Sequence, residues 1–382
     1  MKDLPDQLHD LAARGLERRL RPLASGSGPK VREGGRSLVN LASNNYLGLA
    51  TDPRVVAAAR EALERYGAGS GASRLISGDL DLHHGLEADL ADFKSAPASL
   101  VFPTGYAAAS GTVAAIAGED DVIFSDELNH ASLIDGCRLA PARVVRFRHR
   151  DPEHLRALLA NEPCAGRRLV VTDGVFSMDG ELAPLPELVA VAAEFDARVV
   201  VDDAHGTGVI GGEGTGSVER FGLGADVDVR IGTLSKALGA QGGFVVGSEV
   251  LVDWLVHRAR TFVYSTGLGP AMVAAAAESL RIVRAEPERR AALRENARRL
   301  REGLLAKGHR LIGDEEVPMA VVVLGSPDAA VTVAETLRDR GILAPAIRPP
   351  TVPEGTSRIR LTPMATHTPD DIDAAAAAFP EA

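Results

Sequence analysis

The chain is poor in the features that would assign it to several common classes. It has two cysteines, Cys137 and Cys164, without CxxC spacing, so neither a metal centre nor a disulfide framework is expected and both suit free thiols in a reducing compartment. Basic residues are outnumbered, and the net charge of -10 argues against non-specific nucleic-acid binding and fits a soluble cytoplasmic protein. The opening MKDLPDQLHD is charged and lacks the apolar core of a signal peptide. No long apolar run is intact: residues 95–118 carry no charge, but Pro97, Pro103, Gly105 and Gly111 break them into a strand, a turn and a helix. No GxGxxG follows an early strand with an acidic residue further on, which counts against a nicotinamide-binding Rossmann domain. The glycine-rich GAGSGAS follows a helical stretch instead. Internal repeats and low-complexity tails are also missing.

What is present is an ordinary globular composition, 45% hydrophobic and 25% charged over 382 residues, a length that suits two domains. Residues 1 to about 24 read as a helix with an arginine-rich face, Arg14, Arg18, Arg19 and Arg21. A turn-rich connector and the short strand SLVNLAS follow. Pro53 then opens a helix through Tyr66 with Asp52 as cap. From Leu100 onward, β-branched runs (SLVFP, DDVIFSD, ARVVRF, RRLVVTDGV, ARVVVDDA, DVRIGT, GGFVVG) alternate with helical segments. Such alternation predicts an α/β fold with a mostly parallel sheet and ligands at the carboxyl ends of its strands. Beyond Tyr264 the pattern turns to a long helical region interrupted near Pro287, then short strands and a last helix capped by Thr368. The expected division is an N-terminal segment over 1–45, a large domain over 46–269 and a smaller α+β domain over 270–382.

The chemistry is concentrated in ARVVVDDAHGTG and DVRIGTLSKALGAQGG. The first is an apolar strand running into Asp202, Asp203 and His205; the second sets Lys236 among Thr233, Ser235 and glycines. A lysine amine that condenses with an aldehyde, and an aspartate that keeps a pyridine nitrogen protonated, are the two requirements of a pyridoxal phosphate site. Taken singly, the same residues suit a buried aspartate at a strand end and a loop lysine. Gly105 and Tyr106 stand where an apolar strand turns into a helix, and the free N–H groups and dipole of a helix N-terminus favour a phosphate dianion. That segment reads equally well as a plain strand-to-helix turn.

With these residues in place, the chain resembles the fold-type I pyridoxal phosphate enzymes (transferases like aspartate aminotransferase), and more narrowly the α-oxoamine synthases. The similar blocks run nearly the whole length: SNNYLGL, GSGASRLISGD, TGYAAAS, NHASLIDG, TDGVFSMDG, VDDAHGTGVIG, TLSKALG, YSTGLGP and IRPPTVPEGTSRIRLTP. The last block is most like the branch that condenses a pimeloyl thioester with L-alanine. Rivals within the family are the glycine acetyltransferase, 5-aminolevulinate and sphingoid-base branches.

The resemblance implies roles. Lys236 is the catalytic lysine, His130 stacks on the pyridine ring, Asp202 pairs with its N–H and His205 holds the phenolic oxygen. Asp203 reads as structural. Gly105, Tyr106, Thr233 and Ser235 surround the phosphate, Ser177 lies near the cofactor oxygen, and Thr266 reaches the phosphate of a neighbouring subunit in a homodimer. Arg348 and Asn44 meet the amino-acid carboxylate, with Thr351 in the same loop. Arg18 meets the acyl carboxylate, with Arg19 and Arg21 competing for that match. A histidine after asparagine equally suits a helix cap, and Ser177 a turn. Two positions depart from the family pattern: Ala109 where asparagine is frequent, and Asn45 where aspartate is common.

Overall fold

The computed structural model describes residues 3–381 and comprises two compact units. The larger is made of Asp52–Phe176 and Leu182–Pro287; the smaller takes the chain up to Thr51, the segment Ser177–Glu181 and everything from Glu288 onward.

The larger unit is built on a seven-stranded sheet in the order Ala98–Phe102, Gly243–Gly247, Val229–Thr233, Arg198–Asp202, Arg168–Asp173, Val122–Asp126 and Arg143–Phe147. These are the seven β-branched runs of the sequence. The last five are mutually parallel, and Gly243–Gly247 runs antiparallel to both of its neighbours. Helices cover both faces, so a central strand is buried on each side and reads as continuous valine rather than as an alternating pattern. In Arg198–Asp202, Val200 enters one core cluster with Phe102, Val113 and Leu133, while Val199 and Val201 enter the other with Phe124, Phe147 and Leu188.

Helix Pro270–Ala285 packs against helix Pro53–Tyr66 inside this unit. The C-terminal part of the smaller unit therefore begins at Glu288, after the break at Pro287, and not near residue 270. Asp52 caps Pro53–Tyr66 as expected, accepting from the Arg54 N–H at 3.0 Å.

The smaller unit holds two sheets. Strands Lys30–Glu33 and Arg36–Asn40 form a hairpin joined in parallel by Ile342–Leu343, with Val39 opposite Ile342. The N-terminal residues are consequently part of this unit and not a separate segment over 1–45. Leu311–Ile312, Ala320–Gly325, Ser357–Leu361 and Ala346–Ile347 form the second, antiparallel sheet. Leu41, Leu300, Ile359, Ile372 and Phe379 share its core.

The N-terminal helix is shorter than its sequence suggested, Leu4–Ala13. Gly15, at φ +64°, ends it: the Gly15 and Leu16 N–H groups turn back onto the Ala12 and Leu11 carbonyls. Arg18, Arg19 and Arg21 thus lie on irregular chain and not on a helical face. Among the described residues no helix is long and apolar enough to cross a membrane.

Phe379 is fully buried and meets His309 edge-on at 4.7 Å. Phe379→Ala is expected to destabilise the smaller unit by about 3–5 kcal/mol, measurable as a lower urea midpoint for loss of structure.

Candidate functional site

Parallel strands deliver their carboxyl ends to one edge of the larger unit's sheet, and four neighbours there end in Thr233, Asp202, Asp173 and Asp126. Asp173 and Asp202 are register partners, 7% and 5% exposed. Two carboxylates this close and this dry resist ionisation. Burial pushes Asp202 up to about 6, against the opposing charge of Lys236 and a hydrogen bond from the Ala204 N–H. Asp173 is raised as well, first by burial and then by the charge on Asp202, with the His130 N–H and Lys236 acting the other way.

His130 reaches the same edge from the loop after Val122–Asp126. Its N–H donates to Asp173 Oδ2 at 2.6 Å, and Asn129 braces the loop by accepting from the Asp173 N–H at 2.9 Å and donating to the Val171 carbonyl at 2.8 Å. The imidazole Nδ1 caps helix Ala131–Leu139 through the Ser132 N–H at 3.2 Å, as the alternative reading of this histidine proposed. The rest of the ring keeps an open side. The surrounding protein still desolvates it enough to lower its pKa, with the charge of Lys236 as second cause. One ammonium therefore acts on Asp173 and Asp202, at the ends of neighbouring strands, and on His130, in the loop after a third strand.

Lys236 sits in a tight hairpin between Val229–Thr233 and Gly243–Gly247. The hairpin is closed by Leu234 N–H to the Gly242 carbonyl at 3.0 Å and by Gly239 N–H to the carbonyl of Lys236 at 2.9 Å. Thr233 Oγ1 and Ser235 Oγ both donate to the Gly242 carbonyl, at 3.0 and 3.2 Å. Gly105 is pressed against this hairpin: a Cβ on it would lie 2.9 Å from Thr233 Oγ1, and one on Gly243 would lie 2.5 Å from Gly105 Cα. The first turn of helix Gly105–Ile116, capped by Thr104 onto Ala107 N–H at 3.0 Å, is thus seated beside Thr233. Its leading N–H groups have no carbonyl within the helix to bind.

The remaining expected residues of this unit are placed as follows. His205 is buried three residues past Asp202. Tyr106 is half-exposed, and its hydroxyl is taken by Asp135. Thr266 is exposed and held by a single bridge to Ser73.

These residues fit pyridoxal phosphate. A buried carboxylate with a raised pKa gains from a cationic ring nitrogen, and a helix N-terminus where even a methyl group on Gly105 would collide is shaped for a phosphate at the backbone. Lys236 follows Asp202 in sequence, in the hairpin against which Gly105 is pressed, and its charge acts on the carboxylates.

The smaller unit carries the expected substrate residues. Arg18 donates to Thr351 Oγ1 at 3.3 Å, so two of them meet; Arg19 pairs with Glu17 at 3.1 Å and Arg21 with Glu335 at 2.6 Å. Arg348 is occupied differently from expectation: its guanidinium donates to the backbone carbonyls of Gly15 and Glu17, which fastens the N-terminal segment. With Arg19, Arg21 and Arg338 it lines a cavity of about 490 Å³ whose charges are offset by Glu17, Asp328 and Glu335.

Arg360, which the sequence reading passed over, is the arginine that meets Asn44 and Ser177. It donates to Asn44 Oδ1 at 3.2 Å and to the Ser177 carbonyl at 3.0 Å. It is 6% exposed, its pKa is lowered by burial against the influence of Tyr46, and its Nε has no hydrogen-bond partner among the described residues. Of the two departures, Ala109 is fully buried in the core. Asn45 donates to the Ser27 carbonyl at 2.9 Å, a bond that an ionised aspartate could not make.

Comparison with known proteins agrees with this geometry. The family model for class I and II aminotransferases matches residues 36–379. The 8-amino-7-oxononanoate synthase of Geobacter sulfurreducens is 49% identical over 99% of this chain and 97% of its own; that of Methylococcus capsulatus is 51% identical over 97% and 96%. Among solved structures, a lysine-to-alanine variant of serine palmitoyltransferase of S. paucimobilis, determined with a bound PLP–myriocin aldimine, superposes with a TM-score of 0.93 at 35% identity, covering 98% of this chain and 95% of that one. The 8-amino-7-oxononanoate synthase of Francisella tularensis gives a TM-score of 0.77 at 26% identity, over 89% and 96%. The chain belongs to the class I and II aminotransferase family, in its α-oxoamine synthase branch.

Proposed function

We propose that the protein condenses a pimeloyl thioester, of CoA or a carrier protein, with L-alanine to give 8-amino-7-oxononanoate, carbon dioxide and free thiol, a step of biotin synthesis. The observation that carries this reading is the meeting of Asp173, Asp202 and His130 at the carboxyl edge of the sheet, with Lys236 in the hairpin that follows the adjoining strand. The names of the relatives supply the product, and the resemblance carried by IRPPTVPEGTSRIRLTP supplies the substrate pair.

Pyridoxal phosphate, held by Lys236, Asp202, His130, His205 and the Gly105–Thr233–Ser235 cradle, supplies an electron sink when the Cα–H and Cα–carboxylate bonds break. The residues do the rest. Lys236 Nζ takes the Cα proton and later returns one, acting as a base among groups that set its surroundings. Asp202, once paired with a cation, keeps its negative charge despite burial. His130 is fixed from two sides, by Asp173 and by its own helix, so its ring has one orientation and confines reaction to the other face. Arg360 offers a planar fork to the amino-acid carboxylate, and Asn44 orients that fork. Arg18 and Thr351 serve the distal carboxylate of the acyl chain.

A homodimer with shared sites is part of the proposal. It is supported by Leu75, Ile76 and Tyr264, which are 52%, 80% and 72% exposed in the single chain and lie close in sequence to the bridged Ser73 and Thr266. The free Cys137 and Cys164 suit the cytoplasm.

Three outcomes are expected. Thiol release from a matrix of acyl thioesters and amino acids should be confined to pimeloyl thioester with alanine, and Lys236→Ala should lower it by a factor on the order of 10²–10⁴; preference for acetyl-CoA with glycine would move the protein to the acetyltransferase branch. Arg360→Lys should raise KM for alanine about 10-fold or more while leaving KM for the thioester near its original value, whereas an equal effect on both substrates would remove Arg360 from the carboxylate site. Asp202 is ionised only above its raised pKa of about 6, and only the ionised form holds a cationic ring nitrogen. Cofactor affinity measured by equilibrium dialysis should therefore be full above that pH and decline as pH falls through it, with Asp202→Asn flattening the dependence.

A further inference from the structure

The larger unit buries another lysine, which the reaction above does not use. Lys94 follows helix Asp81–Phe93 and is 3% exposed. Its Nζ donates to Thr207 Oγ1 at 2.8 Å and to the Thr215 carbonyl, and it stands 3.6 Å from Asp203 Oδ2. Asp203 is 1% exposed and accepts from the Ser217 N–H at 3.1 and 3.0 Å and from Ser217 Oγ at 2.8 Å. The buried guanidinium of Arg230 donates to the Lys94 carbonyl at 2.6 Å.

The backbone is built around this carboxylate. A Cβ on Gly174, Gly206 or Gly216 would come within 2.9, 2.0 and 1.6 Å of an Asp203 oxygen. Three chain segments therefore give up side chains to let one buried charge in. A buried ion pair is weak support for stability, because well-packed apolar residues of like volume do as well. Something other than stability has to explain it.

The position of the pair supplies the explanation. The Asp203 carbonyl accepts the Gly206 and Thr207 N–H groups at 3.1 and 2.9 Å and Thr207 Oγ1 at 2.9 Å, closing a single turn. Lys94 grips that turn at both ends, at the Asp203 carboxylate and at the Thr207 hydroxyl. Asp202 precedes the turn and His205 lies within it.

We propose that Lys94 and Asp203 are a positioning pair: they touch neither cofactor nor substrate, and they lock the 202–207 turn so that the Asp202 carboxylate and the His205 ring are held to the pyridoxal phosphate ring. The inference rests on the cofactor reading given above. It assigns the second aspartate of VDDAH a role distinct from that of the first.

The test uses holoenzyme carrying Lys94→Met, Asp203→Asn or both. The visible absorption spectrum, the rate of cofactor loss on dialysis and the melting temperature of the cofactor-free protein are measured for each. Expected are a changed ratio of visible bands and cofactor loss about 10-fold faster in each single variant, with the double variant no worse than the poorer single one. Additive losses in the double variant would overturn the pairing. A lower melting temperature with an unchanged spectrum and release rate would reduce the pair to fold stability alone. If either single variant fails to fold, Thr207→Val, which cuts the hydrogen bond by which the lysine holds the far end of the turn without stranding a charge, decides in its place: a changed spectrum supports positioning, an unchanged one refutes it. A wild-type protein with no visible band that depends on Lys236 would instead defeat the cofactor reading on which the inference stands.

Discussion

The structure depends on holding two carboxylates out of water beside one ammonium. Asp173 and Asp202 are adjacent on parallel strands because the βαβ architecture sends both strand ends to the same edge, and in low dielectric neither charge is comfortable near the other. Lys236 relieves both, together with the Ala204 N–H at Asp202 and the His130 N–H at Asp173. Much of the local architecture serves this balance. Asn129 and His130 are docked onto Asp173, Gly105 and Gly243 strip away side-chain bulk so that a helix end can meet the hairpin, and a separate buried pair stands behind Asp202. A sheet edge that is poor in stability terms is, for the same reason, ready to accept a planar cation.

How much of this was legible depended on whether a residue's signal was local. Asp202 stood out because three valines run straight into it, and Lys236 because hydroxyls and glycines surround it. Asp173 ends LVVTD in the same manner, yet its work is to accept a backbone N–H from a loop forty-three residues away, which no periodicity reveals. Arg360 was hidden by its setting. In SRIRL the arginines alternate with apolar residues as on a half-exposed strand, but Arg358 and Arg360 are 3% and 6% exposed, and each donates to the Ser177–Glu181 segment, Arg358 to the Asp179 carboxylate and Arg360 to the Ser177 carbonyl. Arg348, expected at the amino-acid carboxylate, donates to the Gly15 and Glu17 carbonyls of the N-terminal backbone, a contact that its loop does not announce.

The two compact units divide the chain elsewhere than the expected limits for a related reason. Helix Pro270–Ala285 resembles its successor in composition, and only packing against Pro53–Tyr66 assigns it to the larger unit. The arginine-rich N-terminus kept a helical look past Gly15, where the backbone reverses. His130 shows that two competing readings need not exclude each other. Capping its helix through Nδ1 is part of what leaves its ring face fixed.

The pairing of Val39 with Ile342 has a consequence for biosynthesis. A ribosome releases residues 52–287 as one uninterrupted stretch apart from the Ser177–Glu181 excursion, so the larger unit has nearly all of its chain long before the smaller one does. The strand Arg36–Asn40 meanwhile lacks its parallel neighbour until some three hundred further residues have emerged, and long-range parallel pairing is slow in any case. Vectorial synthesis therefore orders the assembly. The unit with the charged sheet edge matures first, and the unit with the arginines closes last, when the two ends of the chain finally meet.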